Sequence, residues 1–285
     1  MLLVSAIIIG TVVSTCTRFD DLLLFTGSNP AIVSDVDTSD LYADLRSISG
    51  LEWRIFTLPA KGVALDCFYI KNEQPETDGV RNIILFFSGN DMSFWNNYGD
   101  WDCLRALDAD FMTIDWRGYG RSLGEFTVTE ESCYLDAEQA ISYLIDSLDY
   151  SINDICLTGY SLGSGIATEM AKRHDTQCLI LFAPFASINV AANGITGGYN
   201  IPANWLLDAE FNTIDKIRAI NQPVYLLAGK EDMLVPPEDN AVVLYNEAKN
   251  PKHLMLMNGM NHPRLIAKSC HLWQDTIAAF IADCR

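Results

Sequence analysis

A serine in the middle of the chain lies at a turn that could make its hydroxyl a nucleophile. The motif Gly159-Tyr-Ser-Leu-Gly163 places Ser161 between two glycines, after an apolar, strand-favouring run and directly before a helix-favouring segment. Strand, sharp turn and helix form the context in which G-x-S-x-G exposes a reactive serine, and the turn tolerates little side-chain bulk. The N–H groups at the start of the helix favour a developing negative charge. The pattern predicts nucleophilic catalysis by Ser161; an ordinary glycine-rich turn is the alternative.

A serine hydroxyl needs a base to accept its proton, and His262 is the candidate. It lies in Asn258-Gly-Met-Asn-His-Pro263, a loop between the last predicted strand and the last predicted helix. Loops at the carboxyl ends of parallel strands form the catalytic edge of a sheet, so a base is expected there. The remaining histidines are predicted to be structural or to lie at the surface: His174, His253 and His271.

The imidazole in turn needs an acid to orient it. In this strand–turn–helix context the acid follows the serine and precedes the histidine along the chain. Asp232 fits, because it comes just past the predicted strand 223–229, in a turn that two prolines end. Glu231 is the neighbouring competitor and should point away if Asp232 points inward. A merely turn-forming aspartate would also explain the Gly-x-x-Asp context.

Negative charge on the substrate oxygen needs two preorganised N–H donors. The backbone N–H of Leu162 is one candidate. The other is expected in the loop Phe87-Ser-Gly-Asn-Asp91, at Asn90, where Gly89 would let the backbone approach a substrate. A second glycine-rich segment, Asp115-Trp-Arg-Gly-Tyr-Gly-Arg-Ser122, matches neither a P-loop nor G-x-G-x-x-G, and we assign it to packing and turn formation beside the site.

The rest of the chain supplies elements that could position these residues. A predicted hairpin, 51–58 with 63–70, precedes a continuously apolar strand at 82–87. Strands and helices then alternate, which predicts a mostly parallel sheet with helices on both faces. Further strands are expected at 111–115, 154–159, 178–183, 223–229 and 252–258, and helices at 94–107, 130–147, 162–173, 237–248 and 269–284. Residues 184–222 interrupt this alternation and predict a short cap.

Composition limits the partners. The chain has 285 residues and a net charge of −18, which argues against binding nucleic acid or anionic lipid by charge. None of the eight cysteines forms a Cys-x-x-Cys pair, so neither a metal site nor a redox motif is predicted, and no cofactor is implied. Cys67, Cys156 and Cys178 lie in apolar runs, where free thiols act as small hydrophobic groups. Cys270 and Cys284 on one helix are too far apart for a disulfide.

The first residues have a composition of their own. Leu2 to Val13 is almost wholly apolar and has the length of a secretory signal core, and Val13-Ser-Thr-Cys16 resembles the lipobox of bacterial lipoproteins. We predict a signal-like segment at 1–16, a tether at 17–50 and a catalytic domain at 51–285. Export with a membrane anchor on Cys16 is expected. A cytoplasmic location follows if the segment, which has no Lys or Arg before its apolar run, is not a signal.

Six stretches occur in a family-typical sequence and spacing: Phe87-Ser-Gly-Asn90, Asp115-Trp-Arg-Gly-Tyr-Gly-Arg-Ser122, Tyr134-Leu-Asp-Ala137, Gly159-Tyr-Ser-Leu-Gly163, Gly229-Lys-Glu-Asp232 with Val235-Pro236, and Asn261-His262. With them the chain resembles the α/β-hydrolase superfamily, in particular the alpha/beta-hydrolase domain-containing proteins that include protein depalmitoylases and lysophospholipase-like enzymes. The resemblance implies an eight-stranded, mostly parallel sheet with helices on both faces and a short cap after the sixth strand. It also implies the roles given above to Ser161, Asp232, His262, Asn90 and Leu162. Ser88-Gly89 departs from the usual His-Gly of the family.

We therefore expect a serine hydrolase that cleaves an ester or thioester of a small acyl or lipid-like substrate through an acyl-enzyme. Apolar residues of the cap favour this substrate, although packing of the cap explains them equally well: Ile195, Ile201, Trp205, Leu206 and Leu207. A proline-iminopeptidase-like enzyme is the second hypothesis, with Asp208 or Glu210 binding a substrate amine. A catalytically silent, lipid-tethered binding module is the third. A dehalogenase is disfavoured, because it would carry an aspartate at position 161.

Overall fold

The computed structural model describes residues 52–72, 81–90, 92–95, 97–122, 124, 127–195, 208–263 and 265–284. The predicted signal-like segment and tether therefore lie outside the described residues. The middle of the predicted cap, 196–207, also lies outside them.

Eight strands of the described chain form one sheet in the order β1-β2-β4-β3-β5-β6-β7-β8. Their bounds are β1 Glu52–Ala60, β2 Val63–Lys71, β3 Ile83–Phe87, β4 Asp110–Ile114, β5 Ile155–Tyr160, β6 Cys178–Phe182, β7 Val224–Gly229 and β8 Lys252–Met257. The pairs β1–β2 and β2–β4 are antiparallel, and the remaining neighbours are parallel. The mostly parallel sheet is as predicted.

The central strands are buried on both faces. Every residue of β3, β4, β5, β6 and β7 is buried, which explains why these segments are mostly apolar rather than alternating. The hairpin of β1 and β2 instead lies at one edge and pairs Ala60 with Val63. Its turn depends on Gly62, whose φ of +80° suits a residue without a side chain.

Seven helices of the described residues cover the two faces of the sheet. They are α1 Tyr98–Arg105, α2 Glu130–Leu148, α3 Leu162–Arg173, α4 Ile188–Ile195, α5 Thr213–Ile217, α6 Ala241–Glu247 and α7 Leu265–Asp283. Helices α2 and α3 pack with β-strand residues such as Leu85 and Leu157 in one core cluster. On the opposite face α1 and α7 contribute Trp101 and Trp273 to a second cluster. Helices α4 and α5 belong to the segment between β6 and β7. No helix among the described residues is both long and apolar enough to cross a bilayer.

Two helices begin later than predicted, for reasons outside their own sequence. The predicted helix 94–107 starts only at Tyr98, because the N–H of Phe94 donates to the Asp115 carboxylate over 2.9 Å and holds this stretch as a turn. The predicted helix 237–248 starts at Ala241, because the Asn240 side chain bridges Pro236 and Ala186. The last helix begins at Leu265, four residues earlier than predicted.

The cysteines correct one prediction. Cys156 and Cys178 are register partners on β5 and β6, with α-carbons 4.9 Å apart, and they form a disulfide rather than remaining free thiols. A second disulfide, Cys103 to Cys270, joins α1 to α7. Cys67 stays a buried free thiol, as predicted. The pairings depend on strand register and helix packing, which cysteine spacing alone does not provide.

Candidate active site

Ser161 occupies the turn between β5 and α3 in a conformation that few side chains adopt. Its φ is +50° and its ψ is −117°, which costs on the order of 1–3 kcal/mol and persists only where the surroundings enforce it. Its N–H donates to the Phe182 carbonyl over 3.0 Å. A Cβ on Gly159 or Gly163 would collide with backbone, of Gly163 and Phe87 respectively. The two glycines of the motif are therefore required by the tightness of the turn.

The imidazole of His262 lies between the serine and a carboxylate. Its Nε2 is 3.0 Å from Ser161 Oγ, and its Nδ1 is 2.7 Å from Asp232 Oδ2. The three residues follow the carboxyl ends of β5, β7 and β8, so the sheet brings together side chains separated by up to 101 residues. The structure thus assembles the three predicted catalytic side chains into one hydrogen-bonded row.

Asp232 has each of its carboxylate oxygens engaged differently. Oδ1 accepts the backbone N–H groups of Leu234 at 3.0 Å and Val235 at 2.8 Å, while Oδ2 contacts His262. The residue is 2% exposed, and these bonds satisfy a carboxylate that burial would otherwise penalise. Asp232 therefore both forms the turn and faces the histidine. Its competitor Glu231 is exposed, so the structure distinguishes the two acids.

The loop that carries His262 is pressed against the end of β7. A Cβ on Gly229 would collide with the Met260 carbonyl, and the same carbonyl accepts the Glu231 N–H over 3.0 Å. Gly259 turns the chain with a φ of +73°. The His262 carbonyl accepts the N–H of Leu265 over 3.2 Å, which joins the loop to the first turn of α7. The position of His262 is thus set by contacts on both sides of it.

The predicted donor loop runs beside the serine turn. The backbone of Phe87 and Ser88 contacts Gly163, and the Trp116 indole donates to the Ser88 carbonyl over 3.3 Å. The Oδ1 atom of Asn90 accepts a hydrogen bond from the Tyr119 hydroxyl over 2.7 Å. Leu162 is the first residue of α3, where backbone N–H groups lack intrahelical partners. The loop that contains Asn90 and the start of α3 at Leu162 are thus neighbours, and the role of both residues as oxyanion donors stays a prediction.

The segment from Asp115 to Ser122 supports that loop. Asp115 accepts a hydrogen bond from Ser93 Oγ over 2.6 Å. The complete burial of Asp115 raises the pKa of its carboxyl to about 8. Arg117 donates from Nε to Asp136 of α2 over 3.0 Å, a buried ion pair that fastens the segment to the helix layer. These contacts agree with the predicted packing role.

Two tyrosines at the site were not singled out by sequence reasoning. Tyr160 donates its hydroxyl to the His262 carbonyl over 2.6 Å, and Tyr119 contacts Asn90. Both lie inside motifs that were recognised, at positions where many side chains fit. Their side-chain partners are far away in sequence, so no local signal could have identified them.

The structure describes only some of the residues that were proposed to bind a substrate amine or an acyl chain. Asp208 and Glu210 both have exposed side chains, and the Glu210 N–H donates to Glu130 over 2.8 Å. Of the proposed apolar lining, 201 and 205–207 lie outside the described residues, as does the side chain of Ile195. Among the described residues, no three His, Cys, Asp or Glu side chains are grouped in a way that could hold a metal ion.

Known proteins resemble this chain in both sequence and fold. An uncharacterized protein of Mycobacterium tuberculosis is 29% identical over 182 residues, covering 63% of this chain and 62% of its own length. Alpha/beta hydrolase domain-containing protein 17B of Homo sapiens is 24% identical over 213 residues, 72% of this chain and 67% of that protein. The chain thus spans less than two thirds of the mycobacterial relative.

Solved structures share the fold at low sequence identity. An alpha-beta hydrolase from Vibrio vulnificus superposes with a TM-score of 0.74 at 19% identity, covering 93% of each chain. A Pyrococcus furiosus esterase gives a TM-score of 0.66 at 20% identity, covering 85% of this chain and 94% of that one. The model of the Alpha/beta hydrolase family matches residues 84–249, more than half of the chain. On this match, and with the eight-stranded sheet and the serine turn in place, the chain belongs to the alpha/beta hydrolase family.

Proposed function

We propose that this protein is a serine hydrolase that cleaves carboxylic ester or thioester bonds of acyl substrates through an acyl-enzyme. Ser161 is the nucleophile, His262 the general base and then the general acid, and Asp232 the acid that orients the imidazole. Membership of a family of hydrolases supports the reaction type. The bond cleaved and the roles of the residues are our inference.

The observation that carries this proposal is the continuous hydrogen-bonded row from Ser161 to Asp232, at 3.0 and 2.7 Å. Contact with Asp232 fixes the imidazole as the tautomer with its proton on Nδ1. Nε2 then presents a lone pair to the serine hydroxyl. Ser161 attacks the acyl carbonyl while Nε2 accepts its proton. The proton then passes to the leaving alcohol or thiol, and the acyl group remains on Ser161.

The second half of the reaction uses the same groups. His262 accepts a proton from water, the resulting hydroxide attacks the acyl-enzyme, and the proton returns to Ser161 as the acid leaves. In both halves the substrate carbonyl oxygen becomes negative. We assign the backbone N–H groups of Leu162 and Asn90 as its donors; loss of one such donor typically costs about 3 kcal/mol of barrier height.

The preference for acyl substrates is supported by the surface beside Asp232. Met233 is 83% exposed and Leu234 is 39% exposed, on the same turn as the proposed orienting acid. Adjacent exposed apolar side chains form a small apolar surface to which an apolar group can bind. An acyl chain that extends over this turn would cover them.

Labelling with a fluorophosphonate probe tests the reaction type. The wild-type protein should be labelled at Ser161, and Ser161→Ala should abolish labelling. Ser142→Ala, which changes an exposed serine on α2, is the matched control and should be labelled normally. An unlabelled wild-type protein with intact folding would contradict the proposal and favour the binding-module hypothesis.

Substrate class is tested separately. Hydrolysis of p-nitrophenyl esters of increasing chain length should exceed hydrolysis of proline anilides, and thioester analogues should also be cleaved. Faster cleavage of proline anilides would instead favour the peptidase hypothesis.

We also propose export with lipidation of Cys16. Two disulfides among the described cysteines support an oxidising compartment, because cytosolic thiols are kept reduced. After cell fractionation we expect the wild-type protein in the membrane fraction and the Cys16→Ser variant in the soluble fraction. Recovery of both forms in the cytosol with reduced thiols would contradict this proposal.

A further inference from the structure

The side chain of Tyr160 contacts His262 in two ways. Its hydroxyl donates to the His262 carbonyl oxygen over 2.6 Å. Its ring also lies against the imidazole, with centroids 5.4 Å apart and an interplanar angle of 29°. Together with the contacts to Ser161 and Asp232, these interactions hold His262 at its backbone, at both ring nitrogens and across its ring face.

The same ring also contacts the loop after β3. A Cβ placed on Gly89 would lie 3.0 Å from Tyr160 Cδ1 and 3.2 Å from Cε1, so the Gly89 backbone packs directly on the ring. Tyr160 is 4% exposed, which leaves the ring little room to move. It therefore lies between the loop that carries His262 and the loop that precedes Asn90.

Burial keeps the Tyr160 hydroxyl a hydrogen-bond donor. Loss of solvation raises the pKa of Tyr160 above its ordinary value, and the charges of Asp100 and Asp232 raise it further. The hydroxyl is consequently protonated at neutral pH and available to donate to the His262 carbonyl.

The stacked ring has a further consequence for a reaction in which the imidazole becomes charged. An aromatic face attracts a cation within about 6 Å of its centroid. In the proposed reaction His262 gains a positive charge when it accepts the serine proton, so this attraction favours the transition state. The hydroxyl fixes where the ring of His262 stands, and the aromatic face favours its charged form.

We propose that Tyr160 is a positioning residue for catalysis, which holds His262 in line with Ser161 and keeps the Gly89 loop in register with it. The inference rests on the proposed function, because it concerns the step in which Ser161 loses its proton. The observation that carries the inference is the contact of the Tyr160 ring with both the imidazole of His262 and the backbone of Gly89.

Two variants separate the contributions. Tyr160→Phe removes the hydroxyl and keeps the ring, and it should lower kcat by about 3- to 10-fold, the range expected for one hydrogen bond, with KM unchanged. Tyr160→Leu removes the ring as well and should lower kcat by about 100-fold, as misplacement by about 1 Å does. The rate of fluorophosphonate labelling should fall in parallel with kcat.

Tyr225→Phe is the matched control. Tyr225 stacks on His253 with centroids 5.3 Å apart and an interplanar angle of 15°, on β7 but near the strand's opposite end. Loss of its hydroxyl should leave kcat, KM and the labelling rate unchanged. Thermal unfolding of all variants shows whether they are folded, and Tyr160→Phe decides the question if Tyr160→Leu does not fold.

The outcomes are distinct. A kcat and labelling rate for Tyr160→Phe equal to the wild type would overturn the inference and leave the proposed function intact. A raised KM with unchanged kcat would also overturn it, because Tyr160 would then bind substrate rather than position the base. A wild-type protein that the probe does not label would overturn the proposed function and this inference together.

Discussion

Tyr119 donates its hydroxyl hydrogen to Oδ1 of Asn90 over 2.7 Å. This bond joins the segment that begins at Asp115 to the loop after β3 and holds the Asn90 side chain. A loop that presents an oxyanion donor has to be held before the substrate arrives, since reorganisation during the reaction would raise the barrier. The tyrosine therefore supports the loop that we propose to carry an oxyanion donor.

Tyr119→Phe should consequently lower kcat by about 3- to 10-fold, the value of one hydrogen bond, without a large loss of stability. Steady-state hydrolysis of a p-nitrophenyl ester checks this. Tyr143→Phe is the control, because Tyr143 is a partly buried tyrosine on α2 whose ring packs at a tilt against Phe56, away from the site. Equal kcat in the two variants would mean that Asn90 needs no such support.

Asp232→Asn should reduce kcat by about 10⁴-fold while the protein stays folded. The asparagine can still accept the Leu234 and Val235 N–H groups, but it presents a donor to His262 and favours the wrong tautomer of the imidazole. Glu231→Gln, one residue earlier and exposed, should retain activity. If Glu231→Gln were the more damaging change, the assignment of the acid would be reversed.

His262→Gln should abolish esterase activity and fluorophosphonate labelling, because Ser161 then lacks a base within 3.0 Å. His271→Gln changes an exposed histidine on α7 and should leave both unaffected. Labelling of His262→Gln at the wild-type rate would show that another group activates the serine.

Gly163→Ala should destabilise the fold by about 1–3 kcal/mol and reduce activity, because the new methyl group collides with the Phe87 backbone beside the serine turn. Denaturant unfolding measures the free energy. Gly259→Ala is a comparison in which no atom lies within 4 Å of the added carbon, although its φ of +73° adds about 1 kcal/mol of backbone cost. A smaller loss of unfolding free energy for Gly163→Ala than for Gly259→Ala would contradict the tight packing of Gly163 against the Phe87 backbone.

Asp115 should make stability depend on pH. Burial raises the pKa of its carboxyl from 3.8 to about 8, and the neighbouring Asp66, whose own pKa burial also raises, adds to the effect. Between these values the folded protein keeps a proton that the unfolded chain has lost. The contribution of Asp115 to the free energy of unfolding therefore decreases as the pH rises from about 4 to about 8 and changes little above that.

In the Asp115→Asn variant the free energy of unfolding should decrease less between about pH 4 and about pH 8 than in the wild type. The amide can accept a hydrogen bond from the Phe94 N–H and donate one to Ser93, but it does not titrate. Urea unfolding at a series of pH values measures it, with the exposed Asp239→Asn as control. A slope unchanged from the wild type would mean that Asp115 is already ionised in the folded protein.

Local chemistry in the sequence determined much of this fold. Continuous apolar runs predicted the buried strands, and their alternation with helical segments predicted a mostly parallel sheet. The glycines around Ser161 predicted a strained turn, because sterics there depend on near neighbours in the chain. The segment containing Asp232 and the loop containing His262 could be placed at the carboxyl ends of strands, because each follows a predicted strand in the sequence.

Tertiary structure decided what depends on contacts between distant residues. The disulfide of Cys156 with Cys178 follows from the register of two parallel strands, which short-range pattern does not specify. The late start of α1 depends on the Asp115 carboxylate, 21 residues from Phe94. Tyr160 reaches the His262 carbonyl across 102 residues, and only the folded sheet makes them neighbours. The sequence alone thus determined which groups could react, because reactivity depends on residue type and local turn. The packing of loops decided which side chains hold them, because that depends on distances the linear chain does not encode.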